Sequence, residues 1–436
     1  MKIKAGFASR DITPNYPVHL GGYSSRDRKS DGIKEPISAG CAAVADGNQT
    51  VIIISVDTVG IYLEDSRRIR KSISEKTAVP EDNIVIAASH THFAPYVGLH
   101  KFSVPGMELI YGDDRYRNRL EALITECAAE AVGEMGEAEL QYYQVPVPQV
   151  LYNRRARKSD GSVETVFLYP GERDDLSYSP VDETLTVIRF KGAAGFSGAL
   201  VNFSCHPVTG GLSDAENYKI SSDYPYYLRK AVSEVWHCPV LFTLGAAGDA
   251  VPMNRRGDSR KQIGESLAYA ALLGERRFIA DPAPRIGLET VEITGEVAGY
   301  VESAGEVDIP GLCKKYASAP AESEEQSTAF EEYQRGVDQV FRSRMYPSSR
   351  VELPFGILRI GPFSFACLPF EILSEMSLRL KEKTFAAGII SCANGYHGYL
   401  PLEHEFSRGG YECLDRAAHF VPGTADQILD VLMERI

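Results

Sequence analysis

Ser89-His90-Thr91-His92 directly follows the apolar run Asn83-Ile84-Val85-Ile86-Ala87-Ala88. Two imidazoles two residues apart at a strand end would project to one side, where they could share a metal ion or an activated water. That arrangement points to hydrolytic chemistry, although it also suits two ordinary hydrogen-bonded histidines. The Asp-His that would extend it to a two-metal site is absent, because Phe93-Ala94-Pro95 comes next. A third histidine stands in Phe203-Ser204-Cys205-His206-Pro207, where strand alternation sends Cys205 to one face and His206 to the other, and Pro207 stops the strand.

Three further stretches carry groups of interest. Leu244-Gly245-Ala246-Ala247-Gly248-Asp249 turns with glycines where ligands bind at the carboxyl ends of strands, but it lacks the Gly-Lys-Ser/Thr ending of a phosphate loop. It is either a tight turn with Asp249 bonding backbone amides or a loop that touches substrate. Leu368-Pro369-Phe370-Glu371 places an acid at the start of an amphipathic helix, where a dipole partner is the plain alternative to a functional group. Asn394-Gly395-Tyr396-His397-Gly398-Tyr399-Leu400-Pro401 and Arg408-Gly409-Gly410-Tyr411-Glu412 are glycine-rich loops whose tyrosines could equally be packing groups.

Positioning such groups requires a scaffold, and the pattern supplies one. Apolar β-branched runs at 51–56 and 84–88 alternate with helical patterns at 63–77 and 116–132, where Leu120, Leu123, Ile124, Cys127 and Ala131 make one face. The alternation recurs with strands at 198–205 and 240–244 and helices at 223–236 and 259–273. A third block has strands at 351–360, 363–368 and 389–392 and a helix over 371–383. An α/β layered core follows, with strands buried on both faces. The polar stretch 300–350, with a helix over 322–344, reads as a solvated insertion or a lid.

Bulk properties narrow the class. The 436-residue chain, 44% hydrophobic and 24% charged, is that of an ordinary globular protein. A net charge of -13 argues against nucleic acid as a partner. No signal-peptide pattern and no apolar run long enough to span a membrane is present, so the expected location is cytoplasmic. The eight cysteines are scattered singly and are expected to be reduced and structural.

In order along the chain, Arg10-Asp11-Ile12-Thr13-Pro14 with Gly21-Gly22-Tyr23, the Asp57 strand, His90-Thr91-His92, Asn153-Arg154, Cys205-His206-Pro207, Ser222-Asp223, Gly248-Asp249, Leu368-Pro369-Phe370-Glu371, Tyr399 and Tyr411 resemble the catalytic domain of the neutral, non-lysosomal ceramidases. The resemblance implies a single catalytic domain over 1–436, a layered mixed-sheet core, and hydrolysis of an N-acyl amide by metal-activated water. It implies one Zn²⁺ held by His90, His206, Glu371 and Tyr399, with His92, Arg154 and Tyr411 handling the amide carbonyl and proton transfer. Gly248, Asp249 and Val251 would lie on the substrate loop. Val251 stands where the family has an active-site serine, and the chain ends at Ile436 without an immunoglobulin-like domain, so the expected substrate is a small-molecule amide other than ceramide. A zinc esterase, a sugar-modifying hydrolase or a non-catalytic metal-binding relative are the alternatives.

Overall fold

The strand Ile3–Asp11 lies near the middle of a nine-stranded mixed sheet that carries most of the candidate site on its ends. The computed structural model describes residues 3–23, 26–101, 109–171, 173–210, 214–321 and 323–436. The sheet runs Val240–Leu244, Gly195–Phe203, Thr184–Gly192, Gly136–Pro146, Ile3–Asp11, Ser38–Ala45, Thr50–Val56, Ile84–Ala88, with Ile279–Ala280 paired to Gly136–Pro146. Only the outer pairs are parallel, Val201 facing Phe242 at one end and Ile54 facing Ile86 at the other. The inner pairs are antiparallel.

The sheet curls until its two ends pack face to face. Phe7, Ile53 and Val85 from one half meet Phe190, Leu200 and Leu241 from the other in one apolar interior. Close approach requires small residues: a Cβ on Gly40 would lie 3.1 Å from Leu241 Cγ. The Ser55 hydroxyl donates to the Phe242 carbonyl across the same seam. A second sheet, Arg285–Glu296, Arg350–Gly361, Phe363–Cys367 and Ala387–Ile390, adds Leu358, Phe363, Phe365 and Ile390 to that interior.

Helices cover the outer faces. Leu63–Thr77 and Asp114–Gly133 bury Ile69, Ile73, Leu120, Ile124 and Cys127 against Ile52, Ile54 and Ile86. On the other half, Tyr224–Trp236 and Ser259–Leu273 bury Leu228, Val232, Leu267 and Ala271 against Val201, Phe203 and Phe242. Layered α/β organisation is therefore what the structure has. The expectation of strands buried on both faces fits the four apolar runs at the parallel ends, while the inner antiparallel strands Ile3–Asp11, Ser38–Ala45, Gly136–Pro146 and Thr184–Gly192 went unassigned. Three of them mix polar and apolar residues, and Ser38–Ala45 is a run of mostly small side chains with few of the β-branched residues that mark a strand.

The stretch 300–350 holds two helices, Ile309–Ser318 and Glu324–Met345, where one was expected. The expected start at residue 322 lies outside the described residues. Ser323 caps the longer helix by accepting from the Gln326 amide, and Tyr316 of the shorter stacks on Tyr333 of the longer. All eight cysteines are free thiols. Among the described residues, no helix is long and apolar enough to cross a membrane.

A buried ion pair ties the two halves together. Asp57, just past Thr50–Val56, takes both Arg229 Nη1 at 2.9 Å and Nη2 at 2.6 Å from helix Tyr224–Trp236, and accepts from the Ser222 hydroxyl at 2.6 Å. Burial works to raise the Asp57 pKa, but Arg229 and these hydrogen bonds hold it below the usual carboxylate value. A depressed carboxylate pKa gives stability that is present above the unfolded-state pKa and fades as pH falls through the folded one. Asp57→Asn is thus expected to destabilise by about 3 kcal/mol at pH 7. The gap to wild type in denaturant titrations should shrink below about pH 4; a gap independent of pH would contradict this account.

Candidate functional site

The three histidines meet at the carboxyl ends of strands that the sheet's curl brings together. Ring centroids lie 5.1 Å apart for His90 and His92, 4.5 Å for His90 and His206, and 4.9 Å for His92 and His206. His90 and His92 do face the same space, but not by strand alternation, since Ile84–Ala88 ends first and His90 has φ +64°. A β-carbon in that left-handed region is strained, and the surroundings hold it: the His90 amide donates to the Thr58 carbonyl at 2.9 Å.

The Nδ1 atoms decide what each imidazole can do. His90 Nδ1 lies 2.5 Å from the Val59 carbonyl and His206 Nδ1 lies 3.0 Å from the Ala247 carbonyl; a carbonyl accepts, so each ring donates Nδ1–H and turns its Nε2 inward. His92 differs. Its Nδ1 has no hydrogen-bond partner among the described residues, and its Nε2 lies 3.0 Å from His206 Nε2. His90 and His206 are almost wholly buried, whereas His92 is half-buried.

Glu371 closes the group from the other side. Its Oε2 lies 3.1 Å from His90 Nε2 and 3.8 Å from His206 Nε2, and its Oε1 accepts from the Tyr396 hydroxyl at 2.6 Å. Glu371 does not start a helix as expected: it pairs with Tyr399 in a two-stranded parallel ladder, Glu371–Ile372 with Tyr399–Leu400, and the helix begins at Ser374. Neighbouring registry puts the Glu371 and Tyr399 side chains on one face. Burial would neutralise both His90 and Glu371, but each one's charge outweighs that for the other, raising the His90 pKa and depressing that of Glu371. Burial lowers the pKa of His206 and of His92, reinforced by the neighbouring imidazoles.

Arg154 forms the next wall. Its Nη2 donates to the Tyr399 hydroxyl at 2.9 Å and its Nε to Glu412 Oε1 at 2.6 Å, while Tyr411 packs edge-on against Tyr399 with centroids 5.6 Å apart. Glu412 is fully buried and also takes Arg155 Nη1 at 2.9 Å. All seven residues expected to bind metal or act in catalysis, His90, His92, His206, Glu371, Tyr399, Arg154 and Tyr411, are thereby linked by direct contacts.

The glycine loop is the hub of this assembly. His206 Nδ1 bonds the Ala247 carbonyl, the Gly248 amide donates to Ile372 O at 2.8 Å, and the Arg154 amide donates to Asp249 O at 2.8 Å. A Cβ on Gly248 would sit 3.1 Å from the Glu371 carbonyl, so only glycine brings the loop this close without displacing a neighbour. Of the two readings of the loop, the hydrogen bonds are those of the tight turn: Asp249 Oδ1 accepts from the Ser374 amide at 2.8 Å and Oδ2 from Asn153 Nδ2 at 2.8 Å. Val251 is buried in an apolar group with Tyr152 and Val208.

Tyr396, Glu412 and Tyr23 belong to the site and were not singled out for it by the sequence. Tyr396 and Glu412 sit in the glycine-rich loops already noted, but an acid 258 positions from the arginine it bonds leaves no spacing signal. Tyr23 packs edge-on against His92, centroids 4.9 Å apart. A second cluster, Glu375, His404 and Glu405, has metal-ligand residue types, but its acids are already engaged by Arg379, Arg155 and Arg408.

The class that fold and site define is a layered α/β protein whose curled mixed sheet, covered by helices, gathers a His/Glu/Tyr group at its strand ends. The family model described as neutral/alkaline non-lysosomal ceramidase, N-terminal, matches residues 3–228, and the chain belongs to that family. Among solved structures, the neutral ceramidase from Pseudomonas aeruginosa is similar, with a TM-score of 0.73 and 16% identity over 99% of this chain and 74% of that one. A ceramidase complexed with C2 gives a TM-score of 0.72, also at 16% identity with 99% and 74% coverage. At that identity the likeness is one of fold. No curated protein is similar enough in sequence to match.

Proposed function

We propose that this chain is a zinc-dependent hydrolase of linear N-acyl amides, with His90, His206, Glu371 and Tyr399 holding one ion. One observation carries the reading: His90 Nε2 and Glu371 Oε2 are buried 3.1 Å apart and have only each other as close polar partner among the described residues. Buried polar atoms are ordinarily fully satisfied, so a histidine nitrogen and a carboxylate oxygen turned to one another beside a carbonyl-bonded His206 fit a cation bound among them. Mixed nitrogen and oxygen donors suit Zn²⁺, which when bound supplies Lewis acidity and lowers the pKa of a water it holds to about 7.

The chain's own groups have the remaining work. Arg154, fixed by Glu412 and bonded to the Tyr399 hydroxyl, places a positive charge where the amide carbonyl oxygen gains negative charge, and Tyr411 stands beside it as a second donor. His92, whose Nδ1 has no partner among the described residues, moves the proton from the attacking water to the leaving nitrogen. Gly248 and Asp249 hold the strand of Glu371 and the backbone of Arg154 by hydrogen bonds, and with Val251, packed on Tyr152 and Val208, they form the loop on the substrate side.

Purified protein is expected to carry about one zinc per chain and to release fatty acid from N-acyl amides, to lose that activity with a chelator and to regain it with Zn²⁺. Undiminished amide cleavage by metal-free protein would end this reading, and zinc without hydrolysis of any amide or ester would make the chain a binder.

A further inference from the structure

The wall beside His92 holds two buried guanidinium groups whose hydrogen bonds all go to neutral oxygens. Arg255 donates from Nε to the Val208 carbonyl at 2.8 Å, from Nη1 to the Phe167 carbonyl at 3.0 Å, and from Nη2 to the Tyr23 hydroxyl at 2.9 Å. Arg26 donates from Nε to the Asn217 carbonyl at 2.7 Å and from Nη1 to the Gly21 carbonyl, and its Nη2 is buried without a partner among the described residues. Arg26 is 3% exposed and Arg255 9%, and no described carboxylate pairs with either. Buried charge of this kind is unfavourable unless something completes it.

Their place in the site is defined by what they touch. Tyr23 packs on His92 at 4.9 Å, Arg26 Cζ lies 4.8 Å from the Tyr23 ring, and Arg255 bonds the same tyrosine's hydroxyl. At its other end Arg255 holds Phe167, whose ring packs on Tyr411 at 5.6 Å and lies 5.4 Å from Arg154 Cζ. Arg255 thus spans the wall between His92 and Tyr411. The nearby carboxylate Asp223 makes no ion pair with it: its Oδ1 accepts from the Thr209 hydroxyl and the Tyr224 amide, its Oδ2 is buried without a partner among the described residues, and its charge is favoured by Arg260, which Glu35 also pairs at 2.9 Å.

We propose that Arg255, backed by Arg26 and Tyr23, is an anion-recognition wall and that the substrates are N-acyl amino acids, whose amine half carries a carboxylate. The assignment rests on the amide-hydrolase reading, because His92 delivers a proton to the leaving nitrogen and therefore has the amine half of the substrate on its side. Water adds its oxygen to the acyl carbon, the C–N bond breaks, and the nitrogen takes both of the water's protons, one through His92 and the second from the new carboxylic acid. The products are a fatty carboxylate and a zwitterionic amino acid, so charge and atoms balance. Arg suits this task because its planar fork meets a carboxylate with two donors. A chain of net charge -13 repels anions at long range, which makes a local cation necessary for such a substrate.

The test uses zinc-loaded full-length protein with N-lauroylglycine and its neutral counterpart N-lauroylethanolamine, measured both by hydrolysis and by calorimetric binding of each to a Glu371→Gln variant. Wild type is expected to favour N-lauroylglycine by about ten- to a hundredfold in kcat/KM, the scale of one charged hydrogen-bonding group, and the variant to show the same order in Kd. Adding Arg255→Gln, or Arg26→Gln should Arg255→Gln not fold, should bring each ratio towards one. Equal or reversed preference in the protein with both arginines intact would overturn the anion wall, as would an unchanged ratio in a folded Arg255→Gln protein. Failure to hydrolyse either amide would instead sink the amide-hydrolase reading, and the binding ratio would still decide the wall.

Discussion

His206→Ala is expected to strip the metal and lower kcat/KM by a thousandfold or more, an order of magnitude set by the loss of both Lewis acidity and activated water. The ring is buried at the meeting point of the site, with Nδ1 on the Ala247 carbonyl and Nε2 3.0 Å from His92 and 3.8 Å from Glu371. Alanine removes a neutral donor and leaves the Ala247 carbonyl without its partner. Since the loop 245–249 keeps its backbone bonds to Phe203 and Ile372, the fold should survive with a modest loss of stability. Metal content by mass spectrometry and hydrolysis of an N-acyl amide are the paired readouts. A His206→Ala protein with full activity and stoichiometric zinc would remove the proposed ligand set.

Glu412→Ala should produce the largest loss of stability of any single change in the site, on the order of 3–5 kcal/mol, because it strands buried Arg154 without a carboxylate and takes one of two carboxylates from buried Arg155. Glu412 has no exposed surface and is bonded by Arg154 Nε at 2.6 Å and Arg155 Nη1 at 2.9 Å. Arg155 keeps Glu405 at 2.6 Å, so the greater disturbance falls on Arg154 and, through it, on the Tyr399 hydroxyl. A fall in melting temperature of roughly 3–5 °C is expected for a chain of this size. Glu412→Gln keeps the shape and loses the charge, and should be intermediate in stability while still lowering kcat. Retained zinc with reduced kcat would distinguish a misplaced Arg154 from a lost ligand, and a Glu412→Ala protein as stable and active as wild type would show that Arg154 needs no anchor.

How much of this was legible beforehand depended on whether the signal was local. Helices Leu63–Thr77 and Ser259–Leu273 and strands Ile84–Ala88 and Val240–Leu244 coincide with expectation residue for residue, since each is a complete apolar pattern in a short window. The antiparallel centre of the sheet gives no strand signature because Ser38–Ala45, with four alanines and one glycine, has the small side chains that the curled packing needs. Glu371 was read as a helix start for a similar reason: its strand is two residues long and exists only because Tyr399–Leu400 lies beside it.

The sequence by itself determined the chemistry on offer: histidines at two strand ends, an acid after Pro369, arginine and tyrosines in glycine-rich loops, and an ordered set of motifs resembling one family. Tertiary structure decided which of these meet and how they differ. His90 and His92 are the same side chain two positions apart, yet a left-handed backbone and the Val59 carbonyl lock one ring while Nδ1 of the other has no partner among the described residues. Glu412 and Arg255 owe their places to partners far away in the chain. Hydrogen-bond partners and burial are properties of a packed neighbourhood, and no spacing along a chain specifies them until the sheet has curled and brought its strand ends together.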